Sequence, residues 1–181
     1  MRPLFTIHAG EYVVGEELER KFKSRINVWV PTKDIGIDLL VTNKANTSAV
    51  SFQVKFSRDY LTTHLSAEFQ EPMRACGWFK LSRNKIKASI ADYWVFVVLG
   101  SKKRSRDYVI LRPKELLKRL DRIHGRKNDF QVYIWVTEKK RCWETRNLLK
   151  SKQLEIAINT FVDRYRDFSL YLNNWRMIKD L

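Results

Sequence analysis

The sequence predicts an α/β sandwich: a mixed central β-sheet flanked by helices, with a helical C-terminal region. Three observations predict it. An amphipathic helix pattern comes first, with Val14, Leu18 and Phe22 at helical spacing within residues 9–24. Three short segments rich in Val, Ile and Phe follow it. Beyond them strand and helix patterns alternate, which places helices against a sheet that is not purely antiparallel.

The three segments are Ile26–Pro31, Gly36–Thr42 and Ala49–Phe56, each with strand composition. The polar run Asn43–Ser48 joins the last two as a hairpin. Residues 57–80 carry no readable period. Ser82–Ser89 reads as a short helix. Tyr93–Leu99 is almost wholly apolar and ends at Gly100, the mark of a strand buried on both faces. Tyr108–Arg112 is a further strand. Pro113–His124 is a helix with proline in its first turn and Gly125 just past its end. Phe130–Val136 alternates as a strand. The last ~35 residues read as helical, with Leu154, Ile158, Phe161 and Tyr165 as a stripe. One domain is expected over residues 1–181, with a core at about 9–136 and a helical extension at about 145–181.

An apolar fraction of 44% is enough to bury a core, which excludes a disordered tail. No apolar run approaches the ~20 residues of a membrane span, and Met1–Leu4 does not open a signal peptide. Cys76 and Cys142 fit neither zinc spacing nor a disulfide framework, which matches a cytoplasmic protein with two thiols. The net charge is +15, unevenly spread: about +2 over residues 1–60, +8 over 61–125 and +5 over 126–181. A folded domain this basic implies a polyanionic partner, of which nucleic acid is the usual one.

The chemistry is concentrated in the first third. Asp38 sits inside the apolar run 35–41, where a carboxylate needs a partner. In the next strand Phe52, Val54 and Phe56 should face the core, which turns Ser51, Gln53 and Lys55 to the opposite face, beside Asp38 across the hairpin. An ordinary Asp–Lys pair on a sheet is the plain alternative. On the first helix Glu11 falls on the Val14, Leu18 and Phe22 stripe, whereas Glu16, Glu17 and Glu19 point away. A core-aimed Glu, a strand Asp and a strand Lys supply oxygen ligands for Mg²⁺ and a cation for phosphate or water.

Gly10-Glu11 opening a helix, then Gly36-Ile37-Asp38, then Gln53-Val54-Lys55 resembles the PD-(D/E)XK nuclease superfamily of restriction endonucleases and Holliday-junction resolvases. The resemblance covers about residues 9–56. It implies a restriction-endonuclease-like fold and metal-dependent DNA endonuclease activity. Glu11, Asp38, Gln53 and Lys55 would be catalytic. Glu11, Asp38, the Gln53 oxygen and the Val54 carbonyl would hold Mg²⁺, with Mn²⁺ able to substitute. Gln53 departs from the usual acid and leaves two carboxylates rather than three, which favours one ion over two. Members with this substitution include inactive binders, so a non-catalytic nucleic-acid-binding module and a nuclease acting on RNA stand as alternatives.

Lys80, Arg83, Lys85, Lys87, Lys102, Lys103 and Arg104 are the expected nucleic-acid contacts, with Lys139–Arg141 as a further basic cluster. His8, His64 and His124 lack metal-ligand spacing. His124, at a helix end, suits a cap or dipole role, and His64 a phosphate contact. Trp29, Trp94 and Trp135 are expected in the core, and Trp78 and Trp175 are open. The C-terminal helices either cover the sheet or meet a second subunit, which would make a homodimer.

Overall fold

The computed structural model describes residues 9–32, 35–61, 65–100 and 105–181. The elements in chain order are α1 (Ala9–Phe22), β1 (Ile26–Trp29), β2 (Leu39–Asn43), β3 (Ala49–Phe56), α2 (Ala67–Gln70), β4 (Met73–Ser82), α3 (Arg83–Lys87), β5 (Tyr93–Gly100), β6 (Ser105–Leu111), α4 (Pro113–His124), β7 (Asp129–Thr137), β8 (Cys142–Glu144), α5 (Lys150–Ala157) and α6 (Arg176–Lys179). The chain is mixed α/β, as its sequence predicts. No helix is long and apolar enough to cross a membrane, among the described residues.

The central sheet has the order β1-β2-β3-β5-β6. The first three strands form an antiparallel meander, β5 joins β3 in parallel, and β6 returns antiparallel to β5. The parallel pair needs a crossover, and α2, β4 and α3 supply it. A second sheet, β4-β7-β8, is antiparallel throughout. The sequence predicts β7 in one mixed sheet and shows no strand pattern for β4. β4 hides its period because its outer face carries the apolar Cys76 and Trp78 beside the inner-face Ala75, Phe79 and Leu81; on that outer face Cys76 is buried, Trp78 half-buried and Lys80 exposed.

Three buried clusters separate the layers. Val14, Leu18 and Phe22 of α1 pack with Phe52, Val54, Val95 and Val97 on one face of the central sheet. Phe79, Trp94, Phe96, Val98, Phe130 and Val132 fill the space between the two sheets, joined by Ile86 of α3 and by Leu116 and Leu120 of α4. Cys76, Trp135, Trp143, Phe69 and Ile156 form the third, on the outer face of the smaller sheet. Burying a large apolar side chain in such clusters contributes about 1.5–3 kcal/mol before entropy is counted.

The C-terminal region departs from the predicted helix. α5 ends at Ala157, and the chain is then largely irregular, apart from a 3₁₀ turn at Ser169–Tyr171, until α6. The stripe fails because Leu154 and Ile158 are exposed and only Phe161 of the first three is buried. Polar groups hold the segment instead. The Arg119 guanidinium of α4 donates to the carbonyls of Arg164, Tyr165 and Asp167 at 2.9–3.1 Å and to Glu115, and it lies over the rings of Phe168 and Tyr171. The segment also closes two sheet edges, pairing Leu172 with Val109 of β6 and Asp167 with Trp143 of β8. It thus covers an edge of each sheet.

Below it lies Glu144, fully buried. Its carboxylate accepts from Arg166 at 2.6 Å and from the backbone N–H groups of Tyr133 and Arg146. The His124 imidazole, buried at the end of α4, stands 3.4 Å from the same carboxylate. His124 stands in the last turn of α4, as the sequence predicts, with its ring turned toward this carboxylate.

Candidate active site

Glu11, Asp38, Gln53, Val54 and Lys55 line one cleft of about 590 Å³, together with Gly10, Phe56, Lys85, Ser89 and Ile90. Each is placed by a different local cause. Glu11 sits in the first turn of α1, where the helix dipole favours an acid. It is half-buried, on the cleft side of the stripe that carries Val14 and Leu18. Glu16 and Glu17 point elsewhere, as the periodicity predicts: Glu16 pairs with Arg106, and Glu17 with Arg20 and Lys21.

Gly10 sets how close the helix comes. A Cβ built there would lie 2.7 Å from Phe56 Cβ and 3.2 Å from a methyl group of Val54. Only glycine lets the first turn rest on β3, and that contact brings Glu11 to the strand that carries Gln53 and Lys55.

Asp38 stands immediately before β2 and extends its ladder. Its N–H donates to the Phe52 carbonyl at 2.8 Å, and its Oδ2 accepts the Val54 N–H at 2.6 Å. The carboxylate is thus clamped to the strand it must face. Gln53 and Lys55 emerge half-buried on the same face of β3, opposite Phe52 and Val54, as strand alternation predicts. The Lys55 ammonium lies 5.2 Å from the Trp94 ring centroid, and the Trp94 indole N–H donates to Ser89 Oγ at 2.8 Å. Trp94 is therefore a core residue, as expected, and also the floor beneath the lysine. Ser51 on this face is held by Asp92, whose carboxylate accepts both its N–H and its hydroxyl.

Two expectations need correction here. Strand alternation predicts Phe56 in the core, yet it is 41% exposed and lines the cleft. It is the last residue of β3, and the residue that the first turn of α1 rests on it is Gly10, which has no side chain to cover the ring. Trp29 was also placed in the core, yet it is 49% exposed. β1 is an edge strand, and the indole lies over Thr42, donating to its hydroxyl at 3.1 Å.

Of the expected basic contacts, Lys85 of α3 lines the cleft. Lys80 and Lys87 are exposed. Arg83 is committed to a two-pronged pair with Asp121 at 2.8 and 3.0 Å, clasping α3 to α4. Lys102, Lys103, Arg104, His8 and His64 lie outside the described residues. In the other cluster Arg141 pairs with Asp167 at 2.6 Å and stacks over Trp143, while Lys139 and Lys140 are exposed at a turn.

Ser89 and Ile90, between α3 and β5, were not singled out from the sequence. They reach the cleft only because β5 lies beside β3, and no local pattern reports that pairing. Among the described residues no three His, Cys, Asp or Glu side chains converge to hold a metal. The cleft offers two carboxylates and an amide oxygen instead. Cys76 and Cys142 are buried, and burial pushes both thiols well above their ordinary range, so neither is a ready nucleophile or ligand.

Comparison of the chain with protein-family models, with curated proteins and with solved structures finds no match.

Proposed function

We propose that this chain is a metal-dependent nuclease with a restriction-endonuclease-like site, hydrolysing phosphodiester bonds in DNA. One observation carries the reading: Glu11, Asp38, Gln53 and Lys55, from α1, the entry to β2, and β3, meet in a single cleft of a chain with net charge +15. The residues that resemble a nuclease motif in sequence are those gathered in space.

The donor set fits a hard divalent cation. Glu11, Asp38, the Gln53 side-chain oxygen and the Val54 carbonyl are all oxygen donors of the kind Mg²⁺ or Mn²⁺ takes. With two carboxylates, one ion completed by water and substrate phosphate is the expected complement. Bound there, it would polarise the scissile phosphate and acidify a water.

The protein's own groups do the rest. Asp38, fixed by the Val54 N–H, presents its other oxygen without rotamer freedom to lose. Lys55 orients the attacking water and offsets charge growing on the phosphoryl oxygens. Lys85, across the cleft, meets a neighbouring phosphate. Water adds across one P–O bond, which leaves a phosphate monoester and a free hydroxyl.

The test is incubation with supercoiled, linear, branched and single-stranded DNA, and with RNA, in Mg²⁺ or Mn²⁺ and then in chelator. Cleavage of DNA that needs the metal and vanishes in Lys55→Ala is expected. No cleavage of any substrate, or a Lys55→Ala variant as active as wild type, would overturn the reading; cleavage of RNA alone would move it to a ribonuclease. A second reading, a non-catalytic nucleic-acid-binding module, is favoured by Gln53: it offers a neutral oxygen where a third carboxylate would strengthen metal binding.

A further inference from the structure

Among the described residues the outer face of the smaller sheet is covered along part of its length. At the register position where Cys76 faces Trp135, both are buried beneath Leu61, Phe69 and Ile156. Two residues along, Trp78 faces Tyr133, and two further, Lys80 faces Gln131. Among the described residues the cover thins here: Trp78 and Tyr133 are half-buried, and Lys80 and Gln131 are exposed.

Aromatic and basic groups alternate across this open half. Tyr60 packs against both Trp78 and Tyr133, with ring centroids 6.3 Å apart in each pair. The Arg58 guanidinium lies 4.9 Å over the Tyr60 ring. Past Tyr133, Arg146 stands between two clefts. One, of about 320 Å³, it shares with Tyr133 and Gln153; the other, of about 240 Å³, it shares with Lys127. Among the described residues neither Arg146 nor Lys80 forms an ion pair. Three acids lie nearby, of which Glu144 is buried and bound to Arg166 and to the Tyr133 and Arg146 N–H groups. Asp59 caps the Leu61 N–H, and Asp129 borders the smaller cleft. The face begins beside the candidate active site, because Ser57, two residues past Lys55, accepts the Trp78 N–H at 2.9 Å.

We propose that this face is a base-stacking platform for single-stranded nucleic acid. Partly exposed rings set among cations that form no ion pair among the described residues match an unpaired strand, whose bases stack on aromatics while its phosphates meet Arg and Lys. A duplex keeps its base faces stacked inside and has nothing to offer the rings. The proposal rests on the nucleic-acid part of the function proposed above and is independent of cleavage.

The test is fluorescence anisotropy in chelator, with a labelled oligothymidylate and a labelled duplex, on wild type, Trp78→Ala, Tyr133→Ala, Trp78→Phe and Arg58→Glu. Each alanine variant is expected to bind the single strand about tenfold more weakly, the loss of one stacked base, with duplex binding little changed. Trp78→Phe should restore most of the affinity. Arg58→Glu, at an exposed position that cannot unseat the core, should weaken single-strand binding as well. Alanine variants that match wild type, or that lose both ligands alike, overturn the platform. Wild type that binds duplex but no single strand also overturns it and leaves the face to a protein partner, while the proposed function stands. Wild type that binds no nucleic acid removes both.

Discussion

Replacing Gly10 with alanine sets a methyl group against β3 where there is no room for one. The new Cβ would lie 2.7 Å from Phe56 Cβ and 3.2 Å from Val54 Cγ1, whereas carbon atoms rest about 3.5–4.0 Å apart. Phe56 Cβ cannot swing away, because it is fixed to the strand backbone. The first turn of α1 must therefore lift by nearly ~1 Å. Overpacking of this size costs about 1–3 kcal/mol, against at most about 1 kcal/mol gained from alanine's helix propensity. The net loss, up to about 2 kcal/mol, should lower the melting temperature by up to about 8 °C in a chain of this length. Glu11 moves with the turn, and a displacement of that order in a catalytic group costs up to about 10²-fold in rate. Thermal melting and single-turnover cleavage of wild type and Gly10→Ala measure both effects. A variant that melts no lower than wild type and cuts at the wild-type rate would refute both the close approach and the placement of Glu11.

Arg166→Ala should be the more damaging change, although it lies far from the cleft in sequence. It strips the buried Glu144 of its 2.6 Å partner, a loss of about 3–5 kcal/mol that calorimetric melting would register, and a loss under 1 kcal/mol would contradict it. Lys85→Glu should weaken binding to duplexes of different sequence alike and flatten the log–log salt slope by about 1, as filter binding at graded salt would show; an unchanged slope would take Lys85 off the phosphate track. The Asp121 carboxyl is held below its ordinary range, first by hydrogen bonds from Arg83 and then by its charge. A depressed folded-state pKa stabilises at neutral pH, and the gain is lost as pH falls. Asp121→Asn should therefore melt below wild type near neutrality, with the gap narrowing from about pH 4 downward; melting curves across pH check this, and a constant gap would count against it.

The candidate site was largely legible because its parts are local. Glu11 follows from helical phase, Gln53 and Lys55 from strand alternation, and Asp38 from a hairpin whose polar turn announces itself. Strand alternation failed at Phe56, since it reports which face a residue takes but not whether anything lies over that face. The same gap misplaced Trp29, because no local signal marks β1 as an edge strand. β4 escapes notice because Cys76 and Trp78 put apolar residues on its outer face too, which blurs the alternation, and with it go the second sheet and the aromatic face around Trp78. The C-terminal stripe misled for the opposite reason. Leu154, Ile158 and Phe161 are spaced as in a helix, but the segment is held by Arg119 and by sheet edges, which are contacts that no short window of sequence contains. Ser89 and Ile90 reach the cleft through the parallel β3–β5 pairing, a relation between strands separated by α2, β4 and α3.

Whether the cleft is a metal centre is decided most directly by calorimetric titration of Mg²⁺ into wild type and Asp38→Asn, each with duplex DNA present. The substitution keeps a side-chain oxygen for the Val54 N–H but removes one of two carboxylates. The account predicts one Mg²⁺ site in wild type and its loss in the variant, with metal-free DNA affinity equal to or above wild type because a charge that repels phosphate is gone. Wild type that takes up no Mg²⁺ even with DNA bound, beside a variant that simply melts earlier, would contradict it and leave a basic binding module.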